Sequence, residues 1–377
     1  MAKYKLGDIA PIQQGIVPKS NTYWLLNLDM VESNTGNILE YLYVPLDNIG
    51  ASTISFDMNN ILYSKLRPYL NKVVIPDRPG YATSEMLPLK PNKDYITREY
   101  LTYFLRSPRF VAYINEKTSG AKMPRANSSD LKSIEIECPS LEKQRHITNE
   151  FDRIVSIIRL RQQQLQKLDE LVKAWFIELF GDLKSNPNNW DTKTLDELTD
   201  LITDGEHATP RRTDNGIYLL SARNILNHSI RVDDVDYIDQ EEYSRIANRI
   251  TPREGDVLIS CSGTVGRCCS VPAGLKFQMV RSVALLRFKE SINPVFAEYM
   301  ITSDYLQEQI NSSKTASSQA NLFQGKIRAL KGYAPPIELQ NEFVSFVEQI
   351  YKAKAVIQKA LDEAQLLFDS LMQQYFS

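Results

Sequence analysis

The sequence predicts an α+β chain: two homologous α/β domains and two long helices that pair as an antiparallel coiled coil, with pseudo-two-fold symmetry. Three observations predict this. An apolar seam of 3.5-residue period runs through the middle of the chain, a second seam in the same register follows 196 residues later, and that offset recurs across much of the remaining sequence.

The first seam is Ile147, Phe151, Ile154, Ile158, Arg161, Leu165, Leu168, Val172, Trp175 and Leu179, in alternating steps of four and three with one cation. An α-helix presents that period as a narrow stripe suited to a partner helix. The second seam is Phe343, Val347, Ile350, Lys354, Ile357, Leu361, Ala364, Phe368, Leu371 and Tyr375. Self-complementary seams on homologous units favour a pseudo-two-fold, antiparallel pairing that puts the globular parts at opposite ends. Ile154, Ile158, Leu165, Leu168 and Val172 are expected to face Ile350, Ile357, Leu361, Phe368 and Leu371, with Leu168 and Leu361 buried. The expected domains are residues 1–138 and 183–334, each followed by a helical region, 139–182 and 335–377.

The repeat holds outside the helices. Ile61-Leu62-Tyr63-Ser64 matches Val257-Leu258-Ile259-Ser260, Tyr103 matches Tyr299, Ser107 matches Ser303, and Pro139, Glu142 and Gln144 match Pro335, Glu338 and Gln340. The period is too long for a solenoid, so it reads as a duplicated domain-plus-helix unit. Residues 21–56 and 210–252 share little, as expected of segments that make different contacts in each copy.

Within each copy the short apolar runs Ile217–Leu220, Val257–Ser260, Val283–Phe288 and Met86–Leu89, bounded by turn residues, predict buried strands. Residues 100–110 and 294–310 read as amphipathic helices. Pro139 and Pro335-Pro336 launch the long helices, since proline is tolerated in a helix's first turn. Gly181 ends the first, and Ser185 to Asn189 is a linker.

At 377 residues, 43% hydrophobic and 24% charged, the chain is expected to be a soluble protein of two domains. It has no run long enough to span a bilayer, and no signal peptide is read at its start. Four cysteines, two adjacent, make no disulfide framework, so a cytoplasmic location is expected. The formal net charge of −2 does not point to nucleic acid. Charge is uneven, with 13 Lys and Arg against 9 Asp and Glu over residues 57–138, and a near-neutral protein can bind DNA through one polarised face.

No catalytic constellation is evident. Three histidines without Cys-x-x-Cys or His-x-x-x-His predict no metal site. Ser262-Gly263-Thr264-Val265-Gly266 lacks the Gly-Lys-Ser/Thr ending of a P-loop, leaving a tight inter-strand loop or a backbone approach to phosphate. Asp77 and Glu85 stand near each other as in a nuclease carboxylate pair, but Leu87 occupies the place of the lysine. The chain therefore looks built to bind. In the second copy the candidate DNA-contacting residues are His207, Arg211, Arg212, Arg223, Asn224, Ser262 and Arg267; in the first they are Lys65, Arg67, Tyr69, Asn71 and Lys72. Arg and Asn pair bidentately with guanine and adenine edges, and Ser suits phosphate. A coiled-coil scaffold with two protein-binding domains explains the helices but not the arginine-bearing loops.

These features together resemble the specificity subunit of type I restriction-modification systems. Asp204-Gly205-Glu206-His207-Ala208-Thr209-Pro210 is similar to that family's opening loop, and residues 255–260 with 262–266 to its central strand and loop. The Pro-x-x-Glu-x-Gln start of each helix, Pro139 to Gln144 and Pro335 to Gln340, is similar too. The first copy departs from the pattern, with Lys65-Leu66-Arg67-Pro68 in place of the glycine loop and no histidine after Gly15. The resemblance implies a non-catalytic reader of double-stranded DNA. Its two target-recognition domains would each read half of a split sequence, and its helices would set the spacer. It also implies two modification subunits that carry S-adenosylmethionine and flip an adenine for N6 methylation. Restriction subunits would use ATP and Mg²⁺, and no cofactor would reside in this chain.

Overall fold

The computed structural model describes residues 2–118, 120, 122–313 and 321–376. The chain divides into two compact units, Met1–Gln163 with Ile357–Ser377, and Gln164–Val356. Each unit therefore takes part of both long helices.

In the second unit the globular part opens on strand Thr192–Thr194, which pairs antiparallel with Lys331–Tyr333 at the far end of the domain. Thr194 caps the short helix Leu195–Leu198: its hydroxyl accepts from the Glu197 amide while the Glu197 carboxylate receives the Thr194 amide. A four-stranded antiparallel sheet follows, in spatial order Thr199–Asp204, Val283–Phe288, Val257–Ser260 and Cys268–Ser270. A second sheet sets Ile217–Leu220 between Asp236–Ile238 and Phe277–Met279, parallel to the latter. Val257, Leu258 and Ile259 are all fully buried, which is why this strand reads as a continuous apolar run.

The first unit repeats the scheme. Ala2–Lys5 pairs with Glu135–Cys138, and Ile61–Ser64 lies between Val73–Val74 and Met86–Leu89. The segment that diverges in sequence supplies three strands of a four-stranded sheet, in order Leu42–Val44, Tyr23–Leu26, Gly80–Thr83 and Thr53–Phe56. The first three repeat the order and directions of Asp236–Ile238, Ile217–Leu220 and Phe277–Met279.

Each expected amphipathic helix is two helices. Arg98–Arg106 stops at Ser107 and Pro108–Glu116 begins; Pro294–Thr302 stops at Ser303 before Asp304–Ser313. Ser107 has extended ψ, its hydroxyl receives the Phe110 amide, and Pro108 has no N–H to continue the ladder.

The long helices are Leu141–Phe180 and Ile337–Phe376, 40 residues each. Within the first unit, Phe151 packs on Phe368, with ring centroids 5.4 Å apart, and on Phe376 at 6.0 Å. Within the second, Phe176 meets Phe343 at 5.3 Å, Trp175 meets Phe346 at 5.5 Å, and Lys354 donates to Asp169 at 2.7 Å. Early residues of one helix meet late residues of the other, so the pairing is antiparallel. Ile147, Phe151, Ile154, Val172, Phe343, Val347 and Ile350 are buried. Ile158, Leu165, Leu168, Ile357, Leu361, Phe368 and Leu371 are only half-buried, correcting the expectation for Leu168 and Leu361. Two helices alone cover one stripe of each other and leave the flanks to water. Burial becomes complete only near the helix ends, where a domain adds its own wall.

The repeated glutamines make that wall. Gln144 is fully buried: its carbonyl accepts from the Thr97 amide at 2.8 Å, and its NH₂ donates to Tyr95 and Pro139 carbonyls. Gln340 does the same with the Asn293 amide and the Ser291 and Pro335 carbonyls. Thr97 and Asn293 are the caps of Arg98–Arg106 and Pro294–Thr302, so one side chain ties each long helix to the loop that starts its domain's own helix.

Candidate nucleic-acid interface

In the second unit three turns converge beside the fully buried strand Val257–Ser260. Strand Ile217–Leu220 ends in the short turn Ala222–Asn224; Ser262 to Gly266 joins Val257–Ser260 to Cys268–Ser270; Ser282 precedes Val283–Phe288. Gly263 and Gly266 take φ of 68° and 93°, so the loop needs glycine to fold back. The Ser260 hydroxyl ties it down by donating to the Thr264 carbonyl at 2.7 Å. The Ser282 hydroxyl receives the Ala222 amide at 3.0 Å and locks the turns together.

Between them lies an open cleft of about 440 Å³ lined by Ser221, Arg223, Arg231, Ser262, Thr264, Arg267 and Ser282, among others. Three of these, Arg223, Ser262 and Arg267, stand out in the sequence. Arg231 and Ser282 do not, because they reach the cleft from hairpin and strand connections that no local pattern marks. Arg267 makes no side-chain hydrogen bond or ion pair among the described residues. A floor of hydroxyls and small residues with guanidinium groups around it suits an anionic backbone or a base edge.

Asn224 does not belong to this surface. It is fully buried, its carbonyl accepting from the Ser221 amide at 2.9 Å and its NH₂ donating to the Arg231 and Asp234 carbonyls. It shapes the turn and has no group left for a ligand.

The neighbouring arginines are exposed and paired. Arg211 Nη2 lies 2.8 Å from both Asp239 and Glu241, and its guanidinium pKa is raised chiefly by Glu241. Arg212 Nε reaches Asp236 at 3.0 Å; Arg223 Nη2 reaches the other oxygen of Asp236 at 2.9 Å and Asp234 at 3.7 Å. Arg231 stands 3.5 Å from Asp233. His207 Nε2 is 2.7 Å from Asp204, which also holds Arg249 at 2.9 Å. The acidic partners of Arg211, Arg212, Arg223 and Arg231 lie in residues 233–242, where six carboxylates occur with no lysine or arginine. Asp239 also caps helix Gln240–Ala247, and the Glu242 amide holds its carboxyl below the usual range.

The first unit differs. Arg67 and Asn71 flank the turn Pro68–Leu70, both with left-handed φ, 48° and 50°. The Asn71 NH₂ donates to the Arg106 carbonyl at 3.1 Å and Lys72 Nζ to the Leu28 carbonyl at 2.7 Å, so both side chains are committed to holding the loop. Burial lowers the Lys72 pKa. Arg67 and Tyr69 project outward, and Lys65 is half-buried beside them.

Residues 1–170 and 187–365 match the family profile described as the type I restriction modification DNA specificity domain. The type I restriction enzyme MjaIX specificity subunit of Methanocaldococcus jannaschii is 25% identical over 232 residues, 55% of this chain and 53% of that protein. The EcoDI specificity subunit of Escherichia coli is 26% identical over 184 residues, 48% of this chain and 40% of that protein. The chain thus spans about half the length of these relatives. The type I restriction-modification S subunit from M. genitalium has a similar fold, with a TM-score of 0.60 at 14% identity, covering 100% of this chain and 96% of that one. With both matched stretches together taking in most of its length, the chain belongs to the type I restriction-modification DNA specificity family.

Proposed function

We propose that this chain is the DNA-reading subunit of a type I restriction-modification enzyme, each globular part reading one half of a bipartite duplex sequence. The observation that carries the reading is the cleft of the second unit, where Ser221, Arg223, Ser262 and Arg267 converge from three separate turns. Arginine forks over a hydroxyl-lined floor match the acceptors of a base edge and the oxygens of a phosphate. In the first unit Arg67, Tyr69 and Lys65 occupy the loop after the strand equivalent to Val257–Ser260, and they take the corresponding role.

The long helices then fix the spacing of the half-sites and offer their exposed flanks to modification subunits. Those partners supply S-adenosylmethionine and methylate an adenine in each half; restriction subunits bring ATP-driven movement and Mg²⁺-dependent cleavage. This chain contributes recognition and geometry, not bond-breaking.

The test is titration of the purified full chain onto labelled duplex DNA at several salt concentrations. Duplex binding whose log K falls linearly with log salt is expected, because each neutralised phosphate releases counterions. Indifference to duplex DNA, alone and with the modification subunits present, refutes the proposal and returns the chain to a protein-binding scaffold.

A further inference from the structure

Residues 233–242 carry six carboxylates and no cation, and they pair with Arg211, Arg212, Arg223, Arg231 and Arg245. Asp236 alone bridges Arg212 and Arg223, one through each oxygen. Asp239 and Glu241 share one nitrogen of Arg211. These pairs are partly open to water, the side chains of Arg211, Arg212 and Arg223 being 57%, 49% and 44% exposed, Asp239 40% and Asp236 30%. Exposed ion pairs contribute little to folding, so stability does not account for a carboxylate beside each arginine.

Their effect on a ligand is larger. A guanidinium has five N–H donors, and Arg212 and Arg223 each spend one nitrogen on Asp236. The remaining donors still match the acceptors of a guanine edge, which carries no net charge. A phosphate instead meets a nearly neutral pair with further carboxylates behind it. Repulsive elements of this kind buy discrimination at the expense of affinity. Arg267 lacks such a partner among the described residues and retains its full charge.

Resting on the recognition reading above, we propose that this acidic run is a specificity element. Its carboxylates hold Arg211, Arg212 and Arg223 as charge-neutral forks that read bases and repel the backbone of non-cognate DNA, and Arg267 is the cleft's phosphate contact.

The test uses the full chain and two probes: a duplex that the wild-type chain enriches from a random library, and a mixed-sequence duplex of equal length. Asp236→Asn and Glu241→Gln should each bind the mixed-sequence duplex more tightly. Its log K against log salt should steepen by about 0.9 for each phosphate newly contacted, and the preference for the enriched duplex should fall several-fold. Arg267→Ala should flatten the slope by about one on both probes and leave the preference unchanged. Arg223→Ala should lower the preference without flattening the slope. Among the described residues the Glu241 side chain pairs only with Arg211, so Glu241→Gln keeps the test open if Asp236→Asn folds poorly. Equal weakening of both probes by Glu241→Gln, or a slope flattened by Arg223→Ala, overturns the inference while leaving recognition standing. If no sequence is enriched at all, the recognition reading falls and this inference falls with it.

Discussion

At the scale of single residues, chemistry visible in the sequence marked side chains that the fold brings to one cleft, but not the state of each side chain. Arg223, Ser262 and Arg267 are separated by up to 44 residues, yet they line one cleft because each sits at the mouth of a buried strand. Asn224, equally attractive as an adenine reader, is consumed by four hydrogen bonds, to Ser221 and to the Arg231 and Asp234 carbonyls. Residue type told what a side chain can bind; only the backbone path told whether its donors were free. The cysteines give a separate prediction. All four are free and buried. Burial pushes the Cys138 thiol up to about 11 and the Cys261 thiol up to about 12, from 9.0. The folded chain thus holds these protons above the pH at which the unfolded chain releases them. Their contribution to stability is fully present below about pH 9 and lost as pH rises through 11 to 12. A thiol reagent at pH 7.5 should label none of the four until denaturant is added; rapid labelling of the native chain would contradict their burial.

Element by element, the 3.5-residue seam placed both long helices, since that period can serve only a partner helix. It did not show how deeply each position is covered. Leu168 is half-buried where two helices meet alone, and Phe343 is fully buried where the second unit's domain closes over the pair. Phe343→Ala should therefore cost about 3–5 kcal/mol and Leu168→Ala less than the ~2–5 kcal/mol of a fully buried leucine. Equal shifts of the unfolding midpoint in the two variants would contradict the burial difference. Gln340 was visible as half of a repeated motif, but two of its partners, Asn293 and Ser291, lie 47 and 49 residues away and carry no local mark. Gln340→Ala strands the Asn293 amide and two carbonyls, at about 1–3 kcal/mol for each group left unsatisfied. Exposed Ser345→Ala, one turn on, should change stability by less than about 0.5 kcal/mol. A Gln340→Ala chain as stable as the wild type would show that this tie does not hold helix to domain.

For the whole molecule, the duplication was legible because scaffold residues recur at one offset, whereas residues 21–56 and 210–252 share little sequence. Their sheets nonetheless repeat one strand order: Leu42–Val44, Tyr23–Leu26 and Gly80–Thr83 answer to Asp236–Ile238, Ile217–Leu220 and Phe277–Met279. Scaffold and reader follow different physical constraints. Packing fixes the seam and the buried glutamines, and it leaves the exposed loops free to vary. If the helices set the spacing between half-sites, deleting residues 165–171 and 361–367 keeps both seams in phase and shortens the frame by about 10.5 Å at ~1.5 Å per residue. That equals about three base pairs at ~3.4 Å each. The selected spacer should shrink by about two to four base pairs with both half-sequences intact. The accompanying rotation of about 100°, at ~10.5 base pairs per turn, should also weaken binding. Tight binding with the original spacer would remove the helices from that role.

The most direct measurement of the central claim is a map of N6-methylated adenines in cells carrying the modification subunits of this system, with and without this chain. The account predicts methylation at one split motif, two short defined sequences around a spacer of fixed length, present only when the chain is present. Arg223→Ala should blur one of those sequences and leave the other unchanged. Methylation that persists without the chain, or that follows a single continuous motif, would contradict the claim that this protein supplies the sequence and reads it in two halves.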